Sequence, residues 1–507
     1  MGKFYITTPI YYVNSNPHIG HAYTNIIADC LARFHRLKGD EVFFLTGTDE
    51  HGEKIKKTAE GAGEDVCRFV DRFAEDFKAL WQQLDVSYDY FIRTTMLFHR
   101  QVVQKFIVKL SENGDIYKEK YKGYYCTPCE SFWTDTQIKE SGGCPDCKRP
   151  VEIVEEDNYF FRLSKYQDWL LGYLKENPDF IRPKTRYNEV YSFLEKNKLE
   201  DLCISRPKKR LSWGVEFPLD KDYVVYVWFD ALINYASAAG YGNDQDKFKK
   251  LWPADIHFMA KDILRHHAIF WPIMLKALGV SMPGIVFAHG WWKFQGEKIS
   301  KTRGNIINPL ELIKDIGVDG LRYFLLREVP IGLDGNFSWK AIVNRLNSDL
   351  SNDLGNLLYR SLNMAEKYFD AKVSVESTKI PETFKESLDN LSANYADHMD
   401  KLELSICLED IFKFVNTINK YIEDTKPWVL AKDKKTGQLK EFLYALLEGI
   451  RIVALYLYPF MPRTAGSINR QLGLEADKYD LKDSGWGKIK GFSIKKEPPL
   501  FPRIDVD

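Results

Sequence analysis

The sequence predicts an α/β protein in which a doubly wound parallel sheet carries an inserted cysteine-bearing segment and is followed by an α-helical bundle. Three observations support this fold class. Short apolar strands alternate with amphipathic helices in the first 115 residues and again from about residue 223. The stretch between them breaks the alternation and contains four clustered cysteines. From about residue 341 the apolar residues recur at helical spacing.

The first 115 residues are predicted to form the first half of a Rossmann-like domain. An apolar strand at residues 3–7 leads into a loop with Pro9 and Pro17, and the helix that follows ends at Gly39. A strand at residues 41–45 completes a parallel βαβ unit. In such a unit the helix begins beside the carboxyl end of the first strand, where doubly wound sheets bind their ligands.

The rest of the chain is divided by the same patterns. Residues 116–222 are predicted to be an insertion, and residues 223–340 the second half of the Rossmann-like domain. Residues 341–507 are predicted to be a helical bundle with a polar tail. The first helix of that bundle is marked by apolar residues at helical spacing: Val343, Leu346, Leu350, Leu354, Leu357 and Leu358.

Charge and composition predict a cytoplasmic protein with no membrane segment. Lys and Arg together number 71, as do Asp and Glu, so the overall charge does not indicate a nucleic-acid partner. The sequence shows neither a signal peptide nor an apolar run of about 18 residues. Any RNA contact must use a local patch such as the basic run at residues 206–210, although a solvated loop is the simpler interpretation of that run.

The cysteine spacing predicts one structural Zn²⁺ per chain. Cys126 and Cys129 form one Cys-x-x-Cys pair, and Cys144 and Cys147 form a second pair after fourteen intervening residues. Four thiolates suit the tetrahedral coordination of zinc, and a site without an open position is structural rather than catalytic. The other cysteines are predicted to be thiols of apolar segments: Cys30, Cys67, Cys203 and Cys407.

Residues 18–21, His-Ile-Gly-His, open the first predicted helix. Free backbone N–H groups and the helix dipole attract phosphate to such a position. Two imidazoles there can donate hydrogen bonds to phosphate oxygens, and Gly20 leaves room for a flat base. Alone, the tetrapeptide can also arise by chance, and its place after a strand is what favours a phosphate site.

Residues 298–302, Lys-Ile-Ser-Lys-Thr, form a cationic segment between Gly296 and Gly304. Two lysines on a segment bounded by glycines can close over a triphosphate. Alone, this run is more typical of a solvated turn. The Gly-x-x-x-x-Gly-Lys-Ser/Thr pattern of P-loop ATPases is absent from the sequence, which argues against that class.

Together the two motifs resemble the paired signatures of class I aminoacyl-tRNA synthetases. The first matches the family's His-Ile-Gly-His in full. The second matches Lys-Met-Ser-Lys-Ser except at Ile299 and Thr302, which leaves both lysines in place. Further segments are similar to those of the methionyl-tRNA synthetases, and the resemblance covers nearly the whole chain. These segments lie at residues 8–14, 46–52, 227–231 and 261–271.

The resemblance implies both a reaction and an ATP site. An enzyme of this family activates L-methionine with ATP and Mg²⁺ to methionyl adenylate, releases pyrophosphate, and passes the methionyl group to the 3′ end of tRNA(Met). His18, His21, Lys298 and Lys301 are the implied catalytic residues, because they stabilise charge that develops on the phosphates. The implied ATP-binding residues are His18, Gly20, His21, Lys298, Ser300 and Lys301.

A methionine pocket is implied as well. Asp49 supplies a carboxylate for the ammonium group, aromatic walls suit the polarizable sulfur, and Tyr12 or His267 can donate a hydrogen bond to it. Without the resemblance, core packing is the better explanation for Trp228 and Trp271. The implied pocket residues are Ile10, Tyr12, Asp49, Trp228, Ala231, Tyr235, Ile263, His267 and Trp271.

In the helical domain the resemblance implies an anticodon site at Asn352, Asn356, Arg360 and Trp428. Amide and guanidinium groups can bond to base edges, and an indole offers a stacking surface. The alternative is an ordinary bundle face with a buried tryptophan. Members of the family that dimerise carry a further C-terminal module. Because this sequence ends at Asp507, the chain is expected to be a monomer.

Two other functions stay open from the sequence alone. One is a class I synthetase for leucine, isoleucine, valine or cysteine. The branched-chain enzymes have a large editing insertion, for which the segment of about 100 residues here is too short. A cysteine enzyme uses its zinc to bind the substrate, usually with a histidine ligand, and the four-cysteine site here argues against that. The other is a zinc-dependent RNA-binding protein without catalysis, against which the complete histidine and lysine sets count. Amino-acid-dependent exchange of pyrophosphate into ATP distinguishes these functions.

Overall fold

A computed structural model describes residues 2–14, 16–127, 130–133, 135–145, 147–294, 297–298 and 307–505. Strands and helices alternate in the first part of the chain, as the sequence predicts. Gly39 ends the first helix with a left-handed φ of +86°, and its N–H donates to the carbonyl of Arg36. The elements of this part are β1 (Lys3–Tyr12), α1 (Ile19–Lys38), β2 (Glu41–Asp49), α2 (Glu53–Gly61), α3 (Val66–Gln83), β3 (Tyr90–Arg93) and α4 (Leu97–Glu112).

The predicted insertion begins with long antiparallel strands. Four of its strands form one sheet in the order β5-β4-β6-β8, and the cysteine cluster lies at the end of β4 and in the loop before β6. The elements are β4 (Ile116–Cys126), β5 (Ser131–Trp133), α5 (Asp135–Ser141), β6 (Glu152–Phe161), α6 (Gln167–Glu176), β7 (Ile181–Arg182), α7 (Lys184–Lys196), β8 (Leu202–Cys203) and β9 (Ser205–Pro207).

Alternation of strands and helices then resumes. A 3-10 turn (Lys261–Ile263) and a π-helical turn (His266–Phe270) separate the central strand from its helix. The elements are β10 (Tyr223–Val225), α8 (Val227–Leu232), α9 (Asn234–Ala239), α10 (Gln245–Leu251), β11 (Ile256–Ala260), α11 (Trp271–Leu278), β12 (Ile285–His289), β13 (Trp292–Phe294), β14 (Glu297–Lys298), α12 (Pro309–Arg327) and β15 (Gly335–Phe337).

The last third of the chain is helical. A π-helical segment (Leu346–Gly355) joins its first two helices, and the C-terminal tail returns as a strand that pairs with β16. Among the described residues, no helix combines the length and the apolar character needed to cross a bilayer. The elements are α13 (Trp339–Arg345), α14 (Asn356–Phe369), β16 (Lys372–Ser374), α15 (Glu382–Asp400), α16 (Leu404–Thr425), α17 (Pro427–Lys432), α18 (Thr436–Leu457), α19 (Pro462–Leu472) and β17 (Gly491–Ser493).

The central sheet is six-stranded and parallel throughout, in the order β3-β2-β1-β11-β12-β7. The chain winds outward from β1 on one side and from β11 on the other, which is the doubly wound arrangement. The predicted fold class is therefore confirmed. Strand β7 lies inside the segment predicted to be an insertion, yet it forms one edge of this sheet. Part of residues 116–222 thus belongs structurally to the central domain.

Apolar residues cover both faces of the sheet. Successive side chains of a strand point to opposite faces, so Tyr5 and Ile6 of β1 belong to different cores. The Ile6 core continues through α1, α3 and α12 into the helical bundle. The Tyr5 core continues through α4, α9 and α11 toward the insertion. Both added domains are thus packed against the sheet that carries the site.

One buried arginine joins the sheet domain to the helical bundle. Arg322 of α12 has a fully buried side chain and donates to Asp29 of α1 at 2.7 Å. It also donates to the carbonyls of Leu84 (3.3 Å), Pro459 (3.1 Å) and Phe460 (2.8 Å). A buried guanidinium needs such partners, because leaving it unpaired costs far more than a surface charge would. Its position therefore depends on α1, α3 and the segment that follows α18 together.

Arg322→Met is expected to lower the free energy of unfolding by about 3–5 kcal/mol, because Asp29 loses a buried partner. Arg345→Met is the matched control, since its side chain is 29% exposed and pairs with Glu328 near the surface. The control is expected to cost about 0–1 kcal/mol. Urea unfolding followed by circular dichroism measures both. Equal losses in the two variants would contradict the special role of Arg322.

Candidate functional site

The candidate site lies at the carboxyl edge of the sheet, where β1 and β11 run side by side. The two strands pair through Ile6 with Ile256 and Thr7 with His257. Helix α1 follows β1, and the 3-10 turn Lys261–Ile263 follows β11 directly. In doubly wound sheets, ligands bind outside the carboxyl ends of two neighbouring strands from which the chain departs to opposite faces. The start of α1 and the turn after β11 therefore lie at the same edge of the sheet.

The start of α1 is organised by its two histidines. His18 is the N-cap residue in an extended conformation, and its Nδ1 accepts from Gly20 N at 3.1 Å. His21 Nδ1 accepts from His18 N at 3.2 Å, and the two rings stack at 3.8 Å. Since each Nδ1 is an acceptor, a neutral ring carries its proton on Nε2. Both Nε2–H groups are then donors on atoms that the helix backbone does not use.

Electrostatics at this helix start favour an anion. Burial, with a smaller contribution from His18, lowers the pKa of His21 well below its ordinary value, so that ring stays neutral. The first turn of α1, which is described throughout, contains no acidic residue. A Cβ at Gly20 would lie 3.0 Å from His18 Cε1, so glycine lets the imidazole fold back over the turn. These features favour an anion over a cation at this helix start.

The lysine-bearing segment is bounded by elements close to this helix. Ser300 and Lys301 lie outside the described residues, and Lys298 is the last residue of β14. Strand β14 pairs with β13, whose Trp292 lies edge-on to Tyr23 of α1 at 5.8 Å. After the segment, Ile307 accepts a hydrogen bond from Ile19 N at 3.1 Å. Both flanks of the segment are therefore held against α1.

Asp334 holds the strand that leads into this segment, and the sequence analysis did not identify it. Its carboxylate accepts from Lys261 Nζ at 2.7 Å, from Lys293 Nζ at 2.8 Å and from Trp291 N at 2.9 Å. Burial acts in the opposite sense, but these bonds bring the pKa of Asp334 well below its usual range. An ionised Asp334 thus ties the turn after β11 to β13.

Several of the residues predicted to bind methionine lie together behind the turn that follows β11. Tyr235 Oη and His267 Nε2 lie 2.7 Å apart, and His267 Nδ1 lies 3.0 Å from the carbonyl of Ile263. Because that carbonyl can only accept, His267 carries its proton on Nδ1. Its Nε2 therefore accepts a hydrogen bond from the Tyr235 hydroxyl. Burial lowers the pKa of His267 to about 4. The buried Trp271 ring meets Tyr235 edge-on at 5.9 Å.

The remaining apolar pocket residues lie around this group. Trp228 is half-buried and stacks on His266 at 3.8 Å, next to His267 in the chain. Ala231 follows Trp228 by one turn of α8 and is buried. Ile10 and Ile263 are half-buried and pack against the core that contains Trp271. His266 was not predicted, since only its contact with Trp228 reveals it.

Asp49 is placed to receive a cation. It ends β2, lies opposite Tyr12 of β1, and is 6% exposed. Its Oδ1 has no hydrogen-bond partner among the described residues. Burial, reinforced by the charges of Asp230, Glu130 and Glu50, raises the pKa of Asp49 well above its ordinary value. An entering ammonium group would offset both the burial and the neighbouring negative charge.

The acids beside Asp49 already have partners. Glu50 accepts from Arg93 Nε at 2.6 Å. Asp230 lies 2.6 Å from His51 Nδ1 and 2.9 Å from His99 Nε2. Burial alone would raise the pKa of Asp230, but these histidines bring it down to about 2. The cluster therefore leaves Asp49 as the carboxylate that a ligand can use.

Three of the four predicted zinc ligands converge. The sulfur atoms of Cys126, Cys144 and Cys147 lie within 4.8 Å of one another, and those of Cys126 and Cys147 are 3.6 Å apart. Cys129 lies outside the described residues. Soft thiolates at such separations suit a tetrahedral Zn²⁺ ion, so the chemistry of the donor set fits the predicted metal.

Glu130 connects the cysteine-bearing segment to the site, and the sequence analysis did not identify it. Its Oε1 accepts from Lys54 N at 2.7 Å, and its carbonyl accepts from Tyr226 Oη at 2.6 Å. Burial raises the pKa of Glu130 to about 7. A Cβ at Gly52, where φ is +116°, would lie 2.5 Å from Tyr12 Oη and 2.6 Å from Glu130 Oε2. Only glycine allows this approach.

The basic run at residues 206–210 is packed against neighbouring segments to a greater extent than a solvated loop would be. Arg206 is 2% exposed and lies over the Tyr226 ring at 4.4 Å. Lys208 pairs with Glu216 at 2.8 Å, and Arg210 pairs with Glu53 at 3.1 Å. The run therefore joins the insertion to the sheet domain. The acidic partners come from other segments, which is why the run alone was misleading.

The predicted anticodon residues lie on the surface of the helical domain. Asn352, in the π-helical segment, and Asn356 are exposed, and Arg360 pairs with Glu423 at 2.7 Å. Trp428 of α17 is 50% exposed, so the alternative of a buried core tryptophan is wrong. Tyr359, which the sequence analysis did not single out, is 55% exposed on the same helix as Arg360.

Comparison with known proteins covers both the sheet domain and the helical domain. The family described as tRNA synthetases class I (M) matches residues 4–152 and 149–362. The family described as the anticodon-binding domain of tRNA ligase matches residues 382–489. The methionine–tRNA ligase of Caldanaerobacter subterraneus subsp. tengcongensis is 51% identical, over 99% of this chain and 79% of its own length. That of Thermotoga maritima is 48% identical, over 99% and 81%.

Solved structures agree with this assignment. The Mycobacterium tuberculosis methionyl-tRNA synthetase in complex with methionyl-adenylate has a TM-score of 0.93 and 40% identity, over 99% of this chain and 100% of that one. Its ligand-free form has a TM-score of 0.88 and 38% identity, over 100% and 99%. With a matching family over most of its length and relatives near 50% identity, this chain belongs to the methionyl-tRNA synthetases, the ATP-dependent methionine–tRNA ligases of class I.

Proposed function

We propose that this chain forms methionyl adenylate at the carboxyl edge of its sheet and then transfers the methionyl group to tRNA(Met). The observation that carries the proposal is the start of α1, where the Nδ1 atoms of His18 and His21 accept from backbone N–H groups, so that neutral rings carry their protons on Nε2. A relative with a TM-score of 0.93 was solved with methionyl-adenylate, which supports the same reaction here.

Methionine is proposed to bind with its ammonium group at Asp49 and its side chain toward Trp271. Asp49 is a buried acid at this edge whose Oδ1 has no hydrogen-bond partner among the described residues. Ile10, Trp228, Ala231 and Ile263 would complete the apolar wall. Because His267 Nε2 accepts from Tyr235, His267 has no proton to offer the sulfur at that atom. The Tyr235 hydroxyl already donates to His267, so the hydroxyl of Tyr12 is the proposed donor to the sulfur.

ATP is proposed to bind with its phosphates at the start of α1 and Gly20 beneath the base. The methionine carboxylate attacks the α-phosphorus, an O–P bond forms, and pyrophosphate leaves with the electrons of the broken bond. No protein nucleophile is needed, so catalysis is positioning and charge stabilisation by His18, His21, Lys298 and Lys301. Ser300, in the same segment as the two lysines, would also bind ATP, and Mg²⁺ would accompany the phosphates.

His18→Asn is expected to lower the rate of methionine-dependent exchange of pyrophosphate into ATP by about 10²–10³-fold, with the KM for methionine nearly unchanged. Asparagine keeps an acceptor that can cap α1, but it lacks the Nε2–H donor. His18→Ala removes both groups and is the matched comparison, expected to lower the melting temperature as well. Exchange that depends on leucine or isoleucine but not on methionine would contradict the proposed reaction.

The cysteine cluster is proposed to hold one structural Zn²⁺, with Cys129 as the fourth ligand beside Cys126, Cys144 and Cys147. The convergence of three thiols supports this proposal. A metal there would fix the loop that carries Glu130 into the site. Zinc would supply folding energy to this segment rather than a reactive position, because metal binding and local folding are coupled.

Cys144→Ala is expected to lose the zinc that the native chain carries at one ion per chain, and to destabilise the β4–β6 sheet. Cys203→Ala is the control, because Cys203 is also buried but lies apart from the cluster. Plasma emission spectroscopy on the purified variants measures the metal. Full zinc content in Cys144→Ala would remove this residue from the ligand set.

The exposed face of the helical domain is proposed to read the anticodon. Asn352, Asn356 and Arg360 would bond to base edges, and the half-exposed Trp428 would stack on a base. Arg360 already pairs with an exposed Glu423, a contact that a base edge or phosphate can replace. The monomeric state and the cytoplasmic location stay predictions; light scattering at micromolar concentration decides the first.

Trp428→Ala is expected to reduce aminoacylation of tRNA(Met) by at least about tenfold, since a base–aromatic stack is worth about 1–3 kcal/mol. Pyrophosphate exchange and the melting temperature are expected to stay unchanged, because adenylate formation needs no tRNA and the side chain is half exposed. Ile406→Ala, at a comparably exposed site on α16, is the control. Unchanged charging of tRNA by Trp428→Ala would exclude this residue from the anticodon site.

A further inference from the structure

A further buried histidine, His257, lies behind the proposed methionine pocket and belongs to neither signature motif. His257 of β11 is fully buried. Its Nε2 accepts from Trp271 Nε1 at 3.1 Å, and its Nδ1 lies 2.8 Å from Thr7 Oγ1. Thr7 is also its partner in the strand register between β1 and β11. His257 is thus fixed by the central strand pairing and bonded to a wall of the pocket.

The chemistry of the two partners determines which nitrogen carries the proton. An indole N–H can only donate, so His257 Nε2 must accept, and a neutral ring then holds its proton on Nδ1. The Nδ1–H group donates a hydrogen bond to Thr7 Oγ1. Burial, with a smaller effect of His267, lowers the pKa of His257 well below its ordinary value. The ring therefore stays neutral and keeps its acceptor for Trp271.

The same imidazole also contacts the second wall of the pocket. The rings of His257 and Tyr235 have centroids 4.3 Å apart, and Tyr235 in turn bonds to His267. Trp271 is fully buried, so without His257 its N–H would be left without an acceptor in an apolar surrounding. One side chain outside the pocket therefore holds two side chains that line it.

We propose that His257 is a positioning residue for amino-acid selection: through Trp271 and Tyr235 it sets the width of the slot that receives the methionine side chain. The proposal rests on the pocket assignment made above. It requires that His257 act on methionine binding and not on the phosphates, since the histidines at the start of α1 serve the phosphate site.

The first test compares His257→Leu with His257→Gln in pyrophosphate exchange. Leucine removes the acceptor, and the KM for methionine is expected to rise about tenfold, as for loss of one buried hydrogen bond. The KM for ATP is expected to stay unchanged. Glutamine can place its Oε1 where Nε2 stands, and is expected to restore most of the methionine affinity. Ethionine, which is one methylene longer, is expected to gain relative to methionine in His257→Leu.

The second test asks whether His257 acts through Trp271. Trp271→Phe alone is expected to raise the KM for methionine, and adding His257→Leu is expected to raise it little further. Trp252→Phe is the control, because its indole N–H bonds to Ser281 O and its ring lies 6.1 Å from Trp271. That variant is expected to leave the KM for methionine unchanged.

The outcomes separate the inference from the pocket assignment. A Trp271→Phe variant with native KM for methionine would overturn the pocket, and the role of His257 with it. A raised KM in Trp271→Phe together with a native KM in His257→Leu would overturn the role of His257 alone. Additive effects of the two substitutions, or no rescue by glutamine, would show a merely structural residue and also overturn it.

Discussion

The pairing of β1 with β11 is the interaction on which the rest of the site depends. These strands are about 250 residues apart in the chain, yet Thr7 stands beside His257 in the parallel register. This contact places the start of α1 next to the turn after β11. It also brings the two histidines proposed to bind phosphate and the residues proposed to bind methionine to one edge of the sheet. A shift of one residue in the register would turn every side chain of β11 to the other face.

Charge at this edge is sorted by partner, and the sorting suits a zwitterion that meets a triphosphate. Glu50 pairs with an arginine and Asp230 accepts hydrogen bonds from two histidines, whereas Asp49 keeps an oxygen for a ligand. The histidines His21 and His267 are kept neutral by burial, so they act as hydrogen-bonding groups rather than as charges. Positive charge is left to the helix start and to the lysine segment, where phosphates would bind.

The sequence was informative wherever a short segment carries its own geometry. The start of α1, the convergence of Cys126 with Cys144 and Cys147, and the parallel alternation were predictable because short sequence patterns carry them. Glu130, His257 and Asp334 were not, because each acts through contacts with segments far away in sequence. The interpretation of residues 206–210 as a solvated loop was misleading for the same reason, since the acidic partner of Arg210, Glu53, lies across the domain boundary. The surface position of Trp428 likewise required the packed bundle.

The contacts of Arg322 also bear on whether the sheet domain can exist by itself. Two of its acceptors, the carbonyls of Pro459 and Phe460, are supplied by the segment that follows α18, which is synthesised long after the arginine. A fragment that ended before the helical bundle would keep Asp29 and Leu84 as partners but would open a buried cation to water on its other side. The boundary between the two domains is therefore a division of function and not a line along which the polypeptide can be cut.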